Sequence, residues 1–245
     1  IGVDVLPAIP KDSTDRNRTS PFAFTGNRFE FRSVGSNLSI SGPNTILNAI
    51  LADTLAQFAD ELEKAENFDR ELQNLIRREI TAHWRILFNG NGYGEEWIKE
   101  AEKRGLKNFR TTPDAMAHYL DKKNVELFNR TGIYSELEMK SHYDVKLEKY
   151  CQVLNIEVNT MRTMVLKNIV PSTYKYINLI ADTQSKMSRK GMVKGMLSVF
   201  KTGDSKDLMS LMGLMMQALS KLNEIQAAAN KKADLLERAK TYAQS

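Results

Sequence analysis

The chain has 245 residues, of which 42% are hydrophobic and 27% are charged, a balance that fits one or two globular domains and excludes a disordered tail. Its 35 Lys and Arg residues are interleaved with 30 Asp and Glu residues, which argues against a nucleic-acid-binding protein. No run approaches the roughly 20 apolar residues of a membrane span, and a single cysteine, Cys151, rules out an internal disulfide framework, so we expect a cytoplasmic protein with no membrane partner.

The first quarter of the sequence changes from extended to helical patterning. Residues 1–27 are rich in Pro, Asp, Ser, Thr and Asn, which is typical of looped backbone. Residues 28–34, RFEFRSV, alternate polar and apolar side chains and predict a strand. Residues 35–42 predict a turn. From Pro43 onward the apolar positions recur at steps of three and four, which predicts a helix over 43–65.

The middle of the chain predicts helices that connect and carry no evident chemistry. A helix over 69–88 should stop at the turn-forming sequence NGNGYG. Shorter helices should follow over 94–104, 113–121 and 123–130.

The last hundred residues predict long helices. Apolar positions at helical spacing continue over 143–169, and Pro171 should end or kink that helix. Further helices are predicted over 172–190 and 205–241. An antiparallel helical bundle or hairpin is the expected packing.

The helical part offers no recognisable catalytic motif. Its histidines, His83, His118 and His142, lie far apart, and there is no HExxH, no CxxC and no Gly-rich phosphate loop. A packing or surface role is the favoured interpretation of each histidine. The methionines of 209–216 likewise favour core packing. Cys151 lies on the apolar side of its helix, which predicts a buried and unreactive thiol.

The predicted strand carries the chemistry-bearing residues. Because alternate side chains of a strand share a face, Arg28, Glu30 and Arg32 should project together. Phe29 and Phe31 should face the other way. A carboxylate in this setting can bind a hard cation such as Mg²⁺, and the arginines can grip phosphate or carboxylate oxygens.

Two more arginines, Arg16 and Arg18, precede the strand in the loop sequence DSTDRNRTS. Spacing alone leaves a second interpretation open, in which 28–34 is an amphipathic edge strand with screened surface ion pairs.

Long stretches of the sequence resemble one family. They are DSTDRNRTSPFAFTGNRFEFRSVGS with the following NLSISGPNTILNAILAD, then FNGNGYGEEWIKEAEKRGLKNFRTTPDAM, and KLEKYCQVLNIEVNTMRTMVLKNIVPSTYKYINLI. Together they resemble glutamine synthetase of the long type III, and the resemblance spans essentially the whole chain. It implies a mainly α fold, with a short β segment from the end of the α+β catalytic domain over 1–66 and long antiparallel helices over 67–245.

The resemblance implies an ATP-dependent glutamate–ammonia ligase that makes glutamine through γ-glutamyl phosphate, with Mg²⁺ or Mn²⁺ as its metal. Within that family's motif, Glu30 would coordinate the divalent cation and Arg32 would bind glutamate and the transferring phosphoryl group. Arg18 and Arg28 would contact the phosphates of ATP. Arg16 has no firm role in the family pattern. The family also implies a homo-oligomer, a dodecamer of two hexameric rings.

Two departures from the family pattern are visible. Ala23 stands where the shorter type I enzymes carry a further arginine. The family's remaining metal-binding glutamates and its active-site histidine lie on strands that precede this motif, outside the 245 residues. We therefore expect this chain to be the C-terminal part of a longer polypeptide and inactive by itself. The alternative function is a non-catalytic helical interaction or oligomerisation module, with the segment 143–241 as its functional part.

Overall fold

The computed structural model describes residues 22–24, 29–32, 38–189 and 202–244. Within these ranges the chain is mainly α-helical, as predicted, with one antiparallel hairpin of strands β1 (Phe22–Phe24) and β2 (Phe29–Phe31). Of the strand predicted over 28–34, the structure shows residues 29–31 as strand, and positions 28, 33 and 34 lie outside the described residues. The helices are α1 (Ser41–Leu62), α2 (Phe68–Ala82), α3 (Glu95–Lys103), α4 (Thr112–Met116), α5 (Lys122–Arg130), α6 (Glu136–Met164), α7 (Val170–Arg189), α8 (Thr202–Asn230) and α9 (Leu235–Tyr242).

Short-range sequence signals set several helix ends. The side chain of Asn67 accepts a hydrogen bond from the Arg70 backbone N–H and caps the start of α2. Thr111 and Asp114 form a reciprocal capping box at α4, where a proline follows in the first turn. At the far end of α3, Gly105 has a φ of 72°, a left-handed conformation that favours glycine and closes the helix.

The chain divides into two compact units. The first comprises Ile1–Phe109 and Lys122–Glu136, and the second comprises Arg110–Asp121 and Leu137–Ser245. This division differs from the expected boundary between residues 66 and 67, which concerns family organisation and stays a prediction.

Among the described residues of the first unit, few side chains are fully buried, and ion pairs join the helices. Helix α1 packs against α2 and α5, and the guanidinium of Arg130 on α5 donates two hydrogen bonds to the carboxylate of Asp53 on α1, at 2.7 and 2.8 Å. Those hydrogen bonds hold the pKa of Asp53 below its ordinary value. Arg78 on α2 makes a similar fork with Glu61 on α1, at 2.7 and 2.9 Å. Bidentate geometry fixes the relative positions of these helices more firmly than a single contact would.

The second unit is built on a long helical hairpin. Arg162 on α6 contacts Asn223 on α8, and the earlier Asn155 contacts the later Gln226, so the two helices run antiparallel, as predicted. Buried residues from four helices form the core: Met116, Leu147, Cys151, Ala229, Ala239 and Tyr242. Cys151 is buried, as expected, and burial raises the pKa of its thiol, which keeps the thiol protonated and poorly nucleophilic.

The helix does not end at Pro171, and this corrects the prediction of separate helices over 143–169 and 172–190. A π-helix over Val165–Ile169 joins α6 directly to α7, and the Val170 backbone N–H donates to the carbonyl of Val165. Proline has no N–H, and its ring clashes with the carbonyl four residues earlier in a regular α-helix. The wider turn just before Pro171 displaces that carbonyl, so the helix continues.

The π-helix also keeps one side of the long helix against α8. One row of buried and half-buried positions on α6 and the π-helix consists of Leu147, Cys151, Leu154, Val158, Arg162 and Val165. The row continues on α7 through Val170, Thr173, Ile177, Ile180, Gln184 and Met187. Along this row the steps are three or four residues except from 165 to 170. That single step of five is the residue that the π-helix adds.

The helix predicted over 205–241 is two helices. Helix α8 ends at Asn230, and the side chain of Asp234 accepts a hydrogen bond from the Glu237 backbone N–H to start α9. Aspartate is more favourable at the N-cap of a helix than in its interior. Asp234 therefore favours the start of a new helix over the continuous helix that was predicted. Helix α9 packs against α4 and α8, and its Tyr242 is fully buried.

Replacing Leu147 by alanine should lower the free energy of unfolding by about 3 kcal/mol, because a fully buried leucine leaves a cavity. Denaturant-induced unfolding followed by circular dichroism measures the change. Leu137→Ala on the same helix is the matched control, since Leu137 is 80% exposed, and it should cost less than about 0.5 kcal/mol. Equal losses for the two variants would contradict this core assignment.

Candidate functional site

The strand residues form a charged pair on the hairpin. Glu30 lies at the centre of β2 and pairs in register with Ala23 of β1, while Phe31 pairs with Phe22. The Arg32 guanidinium Nη2 donates to the Glu30 carboxylate Oε2 at 2.6 Å. The strand spacing therefore brings Glu30 and Arg32 together on one face, as predicted.

Both members of this pair remain open to solvent in the described structure. The Glu30 side chain is 43% exposed and that of Arg32 is 21% exposed. A carboxylate held by one guanidinium and still open on its other side retains oxygen lone pairs for a further ligand.

The opposite face of the hairpin is aromatic. The rings of Phe22 and Phe31 meet edge to face with centroids 6.1 Å apart, and both side chains are about half exposed. Cross-strand aromatic pairs of this kind stabilise a hairpin and fix its register. Half of their apolar surface stays uncovered in the described part of the chain.

The other arginines predicted for the site, Arg18 and Arg28, lie outside the described residues, as does Arg16. Their assignments stay predictions.

The histidines lie where the sequence interpretation placed them, on or beside helices. His83 is exposed with its Nε2 3.4 Å from Glu79, and the Nδ1 of His118 is 3.0 Å from Asp121. Across 22–24, 29–32, 38–189 and 202–244, no three His, Cys, Asp or Glu side chains group closely enough to hold a metal ion. None of the helices in these ranges is long and apolar enough to span a membrane.

One polar cluster was missed by the sequence analysis, and we call it the amide network. It lies between α6 and α8 and consists of Asn155, Asn159, Arg162, Asn223 and Gln226. The Arg162 guanidinium donates to Asn223 Oδ1 at 2.8 and 2.5 Å and to Asn159 Oδ1 at 3.0 Å, and it also contacts Gln226 Oε1. The contacts of this cation within the described residues are to amide oxygens.

The amide network continues into the core. Gln226 is buried and donates to Asn155 Oδ1 at 2.7 Å and to Asn159 Oδ1 at 3.1 Å. The Tyr242 hydroxyl lies 3.2 Å from Asn155 Oδ1 and 2.8 Å from Asn230 Oδ1. Among the described residues, every buried side-chain polar atom has a hydrogen-bond partner. A fully satisfied polar network of this kind fixes the register of two helices.

A sequence signal for the amide network did exist. Asn155, Asn159 and Arg162 recur at steps of four and three on α6, and Asn223, Gln226 and Asn230 recur at steps of three and four on α8. Polar residues at helical spacing within apolar stripes indicate two facing polar surfaces.

Comparison with known proteins gives the family. Residues 71–188 match the family described as glutamine synthetase C-terminal domain. The chain is 38% identical over 186 residues to the type-3 glutamine synthetase of Dictyostelium discoideum, and this match covers 75% of the chain and 25% of that protein. The chain belongs to the glutamine synthetase family.

Two bacterial glutamine synthetases extend this result. That of Butyrivibrio fibrisolvens is 36% identical over 244 residues, covering 95% of this chain and 33% of the relative. That of Bacteroides fragilis (strain YCH46) is 37% identical over 191 residues, covering 76% of this chain and 26% of the relative. The resemblance to type III glutamine synthetase is thereby confirmed.

The chain spans a quarter to a third of the length of these curated relatives. Because the Butyrivibrio match leaves only 5% of the chain uncovered, it includes Glu30 and Arg32. The C-terminal-domain match over 71–188 contains the α6 half of the amide network and excludes the α8 half.

Proposed function

We propose that this chain is the C-terminal part of an ATP-dependent glutamate–ammonia ligase that serves glutamine biosynthesis and nitrogen assimilation. Residues 1–66 would form the end of the catalytic domain and 67–245 a helical extension. The observation that carries the proposal is the Glu30–Arg32 pair on β2, in a chain that belongs to the glutamine synthetase family.

The proposed reaction has two steps. An oxygen of the glutamate γ-carboxylate attacks the γ-phosphorus of ATP, and ADP leaves. Ammonia then attacks the γ-carbon of the acyl phosphate, loses a proton and expels inorganic phosphate, which leaves glutamine. Negative charge develops on phosphoryl oxygens in both steps, so fixed cationic donors are the groups that such a site needs.

Each strand residue has a proposed role in this scheme. Arg32 would bind glutamate and the transferring phosphoryl group through its planar guanidinium, which suits bidentate contact with carboxylate and phosphate oxygens. Arg18 and Arg28 would contact the phosphates of ATP. Arg32 and Glu30 already touch at 2.6 Å, so a ligand of Glu30 and a ligand of Arg32 would be neighbours.

Glu30 would hold a divalent cation, Mg²⁺ or Mn²⁺. Its exposed carboxylate is a hard oxygen donor, and Mg²⁺ is usually held by one or two carboxylates together with substrate phosphates, so the donor fits as one ligand of a shared site. When bound, the metal would neutralise phosphate charge.

The chain by itself should be inactive, because the described residues offer one candidate metal-binding carboxylate on the hairpin and no cluster of three.

We propose that the complete protein is cytoplasmic and acts as a homo-oligomer, a dodecamer of two hexameric rings.

The test is glutamine formation by the full-length protein that contains this chain, supplied with glutamate, ammonia, ATP and Mg²⁺. The proposal expects glutamine and ADP in equal amounts, and no glutamine from residues 1–245 alone. A folded full-length protein that forms no glutamine would refute the ligase function.

Arg32→Ala in the full-length protein should raise the KM for glutamate by about tenfold to a hundredfold, because a charge-assisted bidentate contact is lost. The KM for ATP should change much less. Steady-state kinetics measures both constants. Arg78→Ala is the matched control, since Arg78 also pairs with a glutamate but lies on α2. An unchanged glutamate KM in Arg32→Ala would refute the assignment.

The second candidate function is the non-catalytic helical interaction module. Large exposed apolar side chains along α6, α7 and α8 favour it, because such side chains are normally covered in a complete assembly. It becomes the leading function if the full-length protein folds and makes no glutamine.

A further inference from the structure

Helix α8 begins with a long stretch that is apolar on more than one side. Residues 208–220 contain no charged side chain. One side, formed by Leu208, Met212, Met215 and Leu219, is buried or half-buried. Leu211 and Leu214 lie outside that side and are 61% and 59% exposed. A helix that is apolar around most of its circumference normally has neighbours on more than one side.

The long helix that packs against α8 has matching exposed residues. They are Met161, Met164, Ile169, Tyr176 and Leu179, with exposed fractions between 43% and 61%. Each residue of a helix is rotated by about 100° from the one before it. By this rotation these residues lie to one side of the buried stripe of their own helix, and Leu211 and Leu214 are rotated in the same sense from the buried stripe of α8. When two helices run antiparallel, residues rotated in the same sense from the stripes that face each other lie on the same face of the hairpin.

We call these seven residues the outer face of the hairpin. At roughly 200 Å² for each large side chain, their exposed fractions amount to roughly 770 Å². This is close to the ~800 Å² that each partner contributes to a stable protein–protein interface. The charged residues three or four positions along the helices from these seven carry both signs, with Glu157, Asp182 and Asp207 against Lys167 and Lys175, so two copies of the outer face do not meet as surfaces of a single sign.

The geometry of the outer face favours a second hairpin as its occupant. Two antiparallel helices with a shared apolar face complete their packing as half of a four-helix bundle. A two-fold dimer buries the same patch on both copies, so one apolar face without net charge is sufficient for both sides of the interface. We propose that the outer face binds the same hairpin of a second copy of this chain. This proposal goes beyond the ligase function and does not depend on it.

The test is sedimentation of the full-length protein carrying Leu211→Gln and Leu214→Gln together. Both side chains are exposed, so the fold should survive, which circular dichroism checks. The proposal expects self-association through this face to weaken by about a hundredfold or more, seen as smaller assemblies at equal concentration.

The matched control is Val145→Gln with Ile156→Gln. These α6 residues are 58% and 63% exposed and lie away from the outer face. They should leave the assembly size unchanged. Equal assembly sizes for the Leu211/Leu214 variant, the control and the wild type would overturn the proposal.

A cross-link separates a second copy from another part of the same polypeptide. Leu214→Cys, treated with a short bis-maleimide, should give a covalent dimer, and Val145→Cys should not. Cys151 is buried and should not react in either protein. If the thiol introduced by Leu214→Cys were protected from the reagent and no covalent dimer formed, the polypeptide would be covering its own face, and the proposal would fall.

Discussion

Glutamine formation should fall about a thousandfold when Glu30 is replaced by alanine in the full-length protein. The physical reason is the position of this carboxylate. It lies on β2, partly exposed and 2.6 Å from the guanidinium that we assign to glutamate and phosphoryl binding. Its loss would remove one oxygen ligand of the cation and the hydrogen-bond acceptor that orients Arg32.

Glu30→Gln separates these two contributions. The glutamine side chain keeps an oxygen that accepts a hydrogen bond from Arg32, but it carries no charge. The position of Arg32 should therefore be kept while the metal binds weakly. We expect isothermal titration calorimetry with Mn²⁺, in the absence of substrates, to show weaker Mn²⁺ binding by both Glu30 variants. Restored wild-type affinity and activity in Glu30→Gln would mean that Glu30 only positions Arg32.

Glu61→Ala is the matched control for Glu30→Ala. Glu61 also pairs with an arginine, but this pair joins α1 to α2 and is not part of the hairpin. Activity and metal affinity should stay within about twofold of wild type, because an exposed ion pair contributes at most ~1 kcal/mol. If Glu61→Ala lost as much activity as Glu30→Ala, a general effect on folding would explain both.

Arg162→Met should lower the free energy of unfolding by about 2–3 kcal/mol. Methionine replaces the length of the side chain but leaves the amide oxygens of Asn223 and Gln226 without their donor. Gln226 is buried, so water cannot easily take the place of the guanidinium. Urea unfolding of the full-length protein, followed by circular dichroism, measures the loss.

Two further variants test whether unpaired amides cause that loss. Arg78→Met, which breaks an exposed pair, should cost less than about 1 kcal/mol. Adding Asn223→Leu and Gln226→Leu to Arg162→Met should recover part of the stability, because the two amide oxygens left without a donor are then removed. Asn155 Oδ1 keeps the Tyr242 hydroxyl as a donor, and Asn159 is exposed to water. A triple variant less stable than Arg162→Met would contradict the explanation.

Much of the fold could be predicted because the helical spacing of apolar residues repeats many times along a long helix. The apolar spacing on either side of Leu55 and Leu147 is sustained for many turns. The helix around Leu55 was predicted over 43–65, close to the observed Ser41–Leu62, and the helix around Leu147 was predicted with its limits displaced. Isolated local signals were harder to weigh. Asp234 caps the start of α9 through one hydrogen bond, where a single continuous helix was predicted. Pro171 is tolerated within a helix because a π-turn precedes it.

The candidate site was predictable to the extent that it is local. The spacing of Glu30 and Arg32 on a strand is sufficient to place them on one face, and the structure brings them together. Their proposed roles came from family resemblance, since a charged pair on a hairpin has no unique chemistry. The amide network was missed because each half is inconspicuous alone. Only the antiparallel pairing of α6 with α8 brings Arg162 to Asn223.

The π-helix before Pro171 has an evolutionary consequence. It is one residue more than a regular α-helix needs to keep the same side facing α8. A π-turn is the geometry in which a helix accommodates one inserted residue without forming a loop. A relative that lacks the π-turn must carry one residue fewer between Val165 and Val170, with no matching deletion in α8. A one-residue gap at this place in an alignment would therefore reflect the π-turn. Removing the gap would pair each α7 residue with a neighbour of its true counterpart, whose side chain points about 100° away around the helix.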